Sequence, residues 1–424
     1  MFFADRLYLA HYTLSAMNAI ASSGAFCFVL LAFPLTICEI TGVFVGRFHG
    51  EEKKEMVGRP VWQILWLAVA CWPIFMILSR LIAPRIFAPD SLEAIYFVQY
   101  LDFAPFQLCS FALMGFFIGL GQTKVITLCT ITANIVNVIL APLFIFGAGV
   151  IPELGIQGAA IATGLSLGFQ TFLLLGLFLQ KKYRTEFCTS EIALDLKLVK
   201  SMLTLGIPSG VGRAAEGLAH GFFFRIMALA GPLELTCTTI AQSFYLLVVF
   251  CIYGISKGVT AVISNLVGAN ERGEISKTIN SAFKVHTILF CLLLSFTFIF
   301  SEFILHLTLR GDDIGLLQET QFISTMKITL FWMCLFFLLK GYSWIVVGHL
   351  TALGDTKFVM YVNSLTHWVG YIMPIYLLVT LFSVGAVTGW MIVAANSLLV
   401  FAIFWKRSSQ KTLEGVAPCS IRDR

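Results

Sequence analysis

Seven ionisable side chains stand in or at the ends of stretches that otherwise carry almost only apolar residues: Asp5, Glu39, Asp102, Arg213, Glu216, Lys257 and Lys340. A charge at mid-bilayer costs at least ~2.5–3.5 kcal/mol on insertion scales, so a group kept there is a candidate to exchange a proton, bind a cation or neutralise another charge. Arg213 and Glu216 are three residues apart, on one face of a helix, and can pair along it. At 1.5 Å per residue Glu216 lies about 22 Å from the inner end of its apolar run, and Lys340 about 20 Å before the Leu of ALGDTK. A carboxylate–ammonium contact between them is therefore within reach. Two roles stay open for this trio: a fixed strut of mutually neutralised charges, or a Glu216 that trades a basic partner for a proton or cation. Asp5 differs, because its neighbour Arg6 points away from it on a helix. Without a local partner Asp5 is expected to be the carboxylate that titrates, the alternative being an interfacial aspartate that reaches for headgroups. Glu39 and Asp102 lie near run ends, where such reaching is cheap.

Among uncharged groups, Asn134 and Asn137 are three apart and face one side, suited to holding helices together or to lining a cavity. Gln242, Tyr245 and Tyr253, with many Phe, are expected to line an amphipathic pocket that holds flat organic cations by cation–π contact.

What must position these groups follows from composition. The 424 residues are 58% hydrophobic and 12% charged, with 40 Phe, far from the soluble globular range. Crossing a hydrocarbon core takes about 20 apolar residues. Eleven such runs are found, near 20–45, 60–82, 95–119, 125–147, 156–180, 201–229, 236–266, 279–305, 323–349, 358–381 and 385–405, with a shorter one at the N-terminus. None alternates with period two, so helices fit and a barrel does not. The expected fold is an all-α integral membrane protein of about twelve transmembrane helices, the first of them half the usual length, as if truncated or begun at a late start codon. Loops alternate in charge: GRFHGEEKKEMVGR, QTK, QKKYRTEFCTSEIALDLKLVK, GANERGEISKTINSAFK, DTK and the C-terminal tail hold 19 Lys and Arg, against Arg80, Arg85 and Arg310 on the other side. That bias places the basic loops and the C-terminus in the cytoplasm.

Several functions are excluded. The 11 cysteines are scattered, with no CxxC pair, no Cys/His metal cluster and no cleavable signal peptide. There is no HExxH, so an enzyme is not expected, and no GxxxxGK[ST] loop for a self-contained ATP-driven pump. Nucleic-acid patches are absent.

The chain repeats itself. GLGQTK (119–124) returns as ALGDTK (352–357) at an offset of 233; VGRFHGEEKKEM (45–56) returns as VGANERGEISKT (267–278) at 222; LGIQGAAIA (154–162) returns more weakly as VGAVTGWMI (384–392) at 230. Three correspondences in the same order indicate two copies of one unit. With six spans each, both copies enter from the same side, giving parallel bundles related by pseudo-twofold symmetry and facing a cavity, an arrangement suited to alternating access. The expected division is an N-terminal six-helix bundle at 1–180, a cytoplasmic linker at 181–200, a C-terminal six-helix bundle at 201–406 and a cytoplasmic tail at 407–424.

VGRFHGEEKKEM, GLGQTK with TANIVNVILAPLFIFG, PELGIQGAAIATGLS, LGIPSGVGRAAEG, YGISKGVTAVISNLVGANERGE and ALGDTK together resemble the multidrug and toxic compound extrusion (MATE) family, closest to its NorM-type branch. The resemblance covers nearly the whole chain. It implies a secondary antiporter in the cell inner membrane that exports amphipathic, often cationic compounds against inward protons or sodium ions, with no cofactor. Its partners are then a small organic substrate and the bilayer, with no nucleic acid, and the protein is expected to be a monomer. In this resemblance Asp5 matches the family's first-helix aspartate, Glu216, eight residues after Pro208, the seventh-helix glutamate, and Asn137 the fifth-helix asparagine. Two positions depart: Lys340 stands where the branch has a tenth-helix aspartate, and Ala141 where another branch has an aspartate. The expected ion-coupling set is Asp5, Glu216 and Lys340, with protons favoured over sodium. The expected substrate cavity is Asn134, Asn137, Gln242, Tyr245 and Tyr253. A flippase for lipid-linked precursors or oligosaccharides, of the same wider superfamily, is the alternative that the buried Arg213, Lys257 and Lys340 keep open.

Overall fold

The computed structural model describes residues 1–147, 149, 152–299 and 320–414. Among these the regular elements are all helical: α1 (Phe2–Tyr12), α2 (Leu14–Glu39), α3 (Thr41–Gly50), α4 (Arg59–Ala70), α5 (Trp72–Ile86), α6 (Leu92–Asp102), α7 (Ala104–Gly119), α8 (Thr123–Phe146), α9 (Ile156–Phe178), α10 (Lys181–Phe187), α11 (Leu196–Ala230), α12 (Pro232–Gly268), α13 (Gly273–Ile299), α14 (Thr320–Leu353), α15 (Thr356–Leu365), α16 (Met373–Phe382) and α17 (Ala386–Glu414). A short 3₁₀ turn, Lys54–Met56, precedes α4, and a π-helical segment, Thr366–Ile372, joins α15 to α16. Arg310 and the end of the expected 279–305 run lie outside the described residues.

Nine stretches among the described residues are long and apolar enough to cross a membrane, and the pair α6–α7, bent by 44°, makes a tenth. Pro105 in the first turn of α7 accounts for the bend, since it has no N–H to give and its ring crowds the carbonyl four residues back. The two remaining helices of the expected twelve are α1, with 11 residues, and α11, whose 35 residues are long enough but include Lys197, Lys200, Arg213, Glu216 and Arg225. α11 is also the helix that carries Glu216, one of the two buried charges among the described residues of the second half, the other, Lys340, lying on α14.

The chain forms two compact units, Met1–Gly210 with Gly268–Asn270, and Val211–Val267 with Glu271–Arg424. In the first unit α8 shows how a span acquires two faces. Cys129, Ala133, Asn137, Ala141 and Ile145, four apart, are buried, while Leu128, Ile131, Ile135 and Ile139 are exposed on the side suited to lipid. Its partner α9 begins with a run of small residues, Gly158 to Ala160, Ala162 and Thr163, all buried. A Cβ on Gly158 would come 2.2 Å from the carbonyl oxygen of Phe144, so this crossing requires glycine. Small residues let helices approach where no hydrophobic force between them is available.

The sequence echo is an echo in backbone geometry. At the end of α7, Gly121 takes φ +72°, its N–H bonds Ile118 O at 2.9 Å, and Gln122 N–H bonds Phe117 O at 2.7 Å. At the end of α14, Gly354 takes φ +88°, its N–H bonds Thr351 O at 3.0 Å, and Asp355 N–H bonds Leu350 O at 2.9 Å. Each bond maps on its counterpart at an offset of 233. Both turns reverse the chain through one left-handed residue, the position only glycine takes without strain. The third pair of the echo is looser, since Gly155 before α9 has φ +54° and Gly385 before α17 is not in the left-handed region.

Of the expected linker, 181–200, residues up to 195 are built onto the first unit. Trp62 Nε1 donates to Thr189 O at 2.8 Å, Gln63 Nε2 to Ala193 O at 2.9 Å, Asp195 N to Gln63 Oε1 at 2.9 Å, and Arg59 pairs with Glu191 at 3.1 Å. At the other end α17 runs on into the expected tail. Arg407 Nε reaches Asp355 Oδ2 at 2.7 Å, and Ser408 meets His349 Nδ1 at 2.8 Å, which tie the helix to the ALGDTK turn. Residues 415–424 lie outside the described residues.

Candidate functional site

Each unit holds a buried carboxylate, and the two are treated in opposite ways. In the first unit Asp5, on α1, is fully buried. It is therefore not an aspartate reaching for the interface. Thr163 Oγ1 on α9 donates to Asp5 Oδ2 at 2.5 Å, and Asn137 Nδ2 on α8 donates to Asp5 Oδ1 at 3.3 Å and to Thr163 Oγ1 at 3.1 Å. These two side-chain donors are neutral. The α8–α9 packing produces this arrangement: Asn137 lies on the buried four-residue stripe of α8, and Thr163 ends the small-residue run of α9, so their polar atoms meet against α1. Asn134, one turn earlier on α8, is half-buried and turns its amide back to Thr130 O at 2.7 Å. The two asparagines share a side of α8, and Asn137 is the one that touches Asp5.

In the second unit Glu216 on α11 and Lys340 on α14 meet, with Nζ 2.7 Å from Oε1. They are 7% and 4% exposed. Arg213, one turn earlier on α11, stands 3.6 Å from Glu216 Oε2, beyond hydrogen-bonding distance. Its guanidinium lies 4.8 Å from the centre of the Trp344 ring and 5.7 Å from that of Tyr253. Lys340 also reaches a residue that charge-based reading of the sequence passed over: Nζ lies 3.3 Å from His367 Nε2, and His367 Nδ1 lies 2.6 Å from Asn363 O. An ammonium only donates, and so does the Nδ1 that faces a carbonyl, so Nε2 accepts and the imidazole is neutral. The chain of bonds runs Glu216, Lys340, His367, Asn363. His367 sits in the π-helical segment, where one extra residue per turn alters the facing of side chains. Close approach of Asn396 to Gly370, with a Cβ there only 2.3 Å from Asn396 Oδ1, accompanies the widened turn.

The other expected residues fall around this cluster or away from it. Tyr245 is buried with its ring 5.1 Å from Phe336. Tyr253 lies 6.2 Å from Trp344, with Lys257 Nζ 5.2 Å from its ring. Gln242 is half-buried, and its Oε1 has no hydrogen-bond partner among the described residues. Asp102 is spoken for by a two-pronged pair with Arg80, at 2.8 and 3.0 Å. No group of three His, Cys, Asp or Glu placed to hold a metal ion occurs among the described residues.

Two compact units built of helices long and apolar enough to cross a membrane, each with a buried carboxylate, define a polytopic membrane protein. The MatE family model matches residues 1–143 and 208–377, and the chain belongs to that family, the multidrug and toxic compound extrusion transporters. It is therefore a membrane transporter and not an enzyme. Among curated proteins it is similar to Probable multidrug resistance protein YoeA of Bacillus subtilis, 24% identical over 92% of this chain and 87% of that protein. It is also similar to Probable multidrug resistance protein NorM of Streptococcus pneumoniae, 26% identical over 85% of this chain and 80% of that protein. Among solved structures it resembles a MOP superfamily transporter from Pyrococcus furiosus, with TM-score 0.85, 17% identity, and 97% of this chain and 91% of that chain covered. A MATE crystal structure in the straight conformation gives TM-score 0.84, 17% identity and coverage of 97% and 91%. At such identities these structures speak for the fold.

Proposed function

We propose that this transporter is a secondary antiporter that exports amphipathic, cationic organic compounds in exchange for protons, by alternating access, from the cell inner membrane, as a monomer with its C-terminus in the cytoplasm. The observation that carries the coupling assignment is the contrast between the two carboxylates. A buried charge needs a partner. Glu216 has Lys340 at 2.7 Å and Arg213 nearby, so its charge is matched within the protein. The side-chain donors to Asp5, Thr163 and Asn137, are neutral, while the Met1 ammonium nearby donates to Asn134 Oδ1 at 2.7 Å, so a proton on Asp5 can take the place that Lys340 takes at Glu216. A carboxyl that alternates between a proton and a pair of neutral donors is a workable coupling element, since each state keeps its hydrogen bonds.

Protons are favoured over sodium by the second unit. A sodium site needs several oxygen ligands and no competing cation, and there the ammonium of Lys340 already occupies the carboxylate. The Glu216–Lys340–His367 chain is then a strut, or a gate that opens when the pair is broken. The test is efflux of a cationic dye from proteoliposomes of the purified full chain, under a pH gradient alone and under a sodium gradient alone. The pH gradient should drive efflux with no sodium present; efflux driven by sodium alone would overturn the coupling assignment, and efflux driven by neither would overturn antiport.

A further inference from the structure

Where the chain passes from α10 into α11, large apolar side chains stand open at every second position: Ile192 is 50% exposed, Leu194 60% and Leu196 71%. The first two lie in the irregular stretch before α11, and Leu196 is its first helical residue. Their exposure is built in, because the backbone that carries them is fastened. Thr189 O and Ala193 O accept from Trp62 and Gln63, and Asp195 N–H donates to Gln63. Asp195 Oδ1 then accepts from Lys197 N–H at 2.9 Å and Leu198 N–H at 3.1 Å, which caps α11. Leu198, Met202 and Leu205 bury the face of α11 opposite Leu196. Apolar side chains gathered on an open surface mark a place that meets something other than water.

The points of attachment indicate what that is. Trp62 and Gln63 belong to the start of α4, inside a stretch apolar enough to cross a membrane, Lys54–Ile86. The Trp62 ring packs at 6.0 Å on Phe178, the last residue of α9, which is another such stretch. The segment is thus tied to the ends of two spans, the level of the bilayer surface that tryptophan favours. Charge agrees with this. The acids of the segment are engaged within the protein: Glu191 pairs with Arg59 at 3.1 Å, Asp195 caps α11, and Glu186 lies 3.8 Å from Lys54. Lys181 and Lys200 are exposed, and Lys200 follows Leu196 by one turn on the same face of α11. Apolar side chains beside exposed lysines suit the boundary layer of a membrane that contains anionic lipid.

We propose that residues 192–200 form an anchor on the membrane surface. Ile192, Leu194 and Leu196 enter the boundary between headgroups and acyl chains on the side of the basic loops, and Lys200 meets the phosphate of an anionic phospholipid. The expected linker is then a lipid contact as well as a connection. This surface stands apart from the antiport reading, since it needs neither a transported substrate nor a coupling ion.

The test is hydroxyl-radical footprinting of the purified full chain in nanodiscs of mixed phosphatidylcholine and phosphatidylglycerol, read by mass spectrometry. Ile131 and Ile135, exposed on the lipid-suited side of α8, set the level for side chains in lipid, and the denatured chain sets the level for side chains in water. Ile192, Leu194 and Leu196 should be oxidised as little as the two α8 isoleucines. Oxidation at the level of the denatured chain would place them in water, as for a surface that awaits a protein partner, and would overturn the proposal without any variant. The charge is tested by native mass spectrometry of the chain with either lipid added. Lys200→Gln should lower the preference for phosphatidylglycerol over phosphatidylcholine about fivefold, the worth of one cation at an anionic surface. An unchanged preference in the folded variant would overturn the role of Lys200.

Discussion

Replacing Lys340 by Met removes the charge that neutralises Glu216 while keeping most of the side chain's length. The two groups are 2.7 Å apart and 7% and 4% exposed. At an effective dielectric of about 20, their gross attraction is about 6 kcal/mol, most of it offset by the desolvation of both ions. Breaking one half of a buried pair typically costs about 3–5 kcal/mol, because the other charge is left behind. Here Arg213, at 3.6 Å, stays to take up part of the carboxylate's charge. The expected loss for Lys340→Met is therefore about 2–4 kcal/mol, below the usual range for a stranded ion. Glu216→Gln leaves Lys340 with neutral acceptors, the new amide oxygen and His367 Nε2 at 3.3 Å, and no opposite charge. The double variant strands neither and should recover, so a double-mutant cycle should give a coupling of about 2 kcal/mol or more, within the range found for residues in one ion-pair network. The assay is reversible unfolding of the full chain in mixed micelles with increasing denaturing detergent. A Lys340→Met loss under about 1 kcal/mol with a coupling under about 0.5 kcal/mol would show that the pair does not hold the bundle, and the reasoning from burial and distance would be refuted.

Three further outcomes follow from particular contacts. Thr163→Val keeps the shape at Asp5 and removes its shortest donor, worth about 1.5–3 kcal/mol for a bond to a charged acceptor, so proton-driven efflux should fall about tenfold or more, with Thr163→Ser restoring most of it. Gly354→Val forces a branched side chain into φ +88° and should lower stability by about 1–3 kcal/mol, read as a fall in the melting temperature of the purified chain, with the same result for Gly121→Val. Arg80→Ala, by contrast, removes a cation that is 51% exposed from its pair with Asp102, and should shift stability by no more than about 1 kcal/mol, which the same melting experiment reads.

What the sequence carries, and what it hides, separates by mechanism. Apolar run length is read directly, so the spans were legible, whereas the 44° bend before α7, where Pro105 stands, was not read from the single run 95–119. The paired turns were legible because a left-handed reversal demands glycine at the same place in both copies. The approach of Glu216 and Lys340 was legible because depth along a helix is residue count times rise. Lateral position is a different matter. Nothing about Thr163 in a run of small residues says that it meets a carboxylate 158 residues earlier; that depends on how close α8 and α9 cross. His367 was missed for two reasons. It carries no formal charge at neutral pH, so a search for buried charges passes over it, and the π-helical segment that contains it breaks the 3.6-residue count used to assign facing. How Trp62, Gln63 and Asp355 fasten residues of the linker and the start of the tail to the helices was not legible either, since polar composition does not say which side chain a segment will meet.

The central claim is that Asp5 carries the proton. The direct measurement is dye efflux from proteoliposomes of Asp5→Asn, driven by an imposed pH gradient in sodium-free buffer, beside wild type and a check that the variant melts at the wild-type temperature. Asparagine preserves the size of the side chain and can still bond Thr163 and Asn137, but it cannot exchange a proton. The account predicts loss of gradient-driven efflux with dye binding retained; full efflux from a folded Asp5→Asn chain would contradict it.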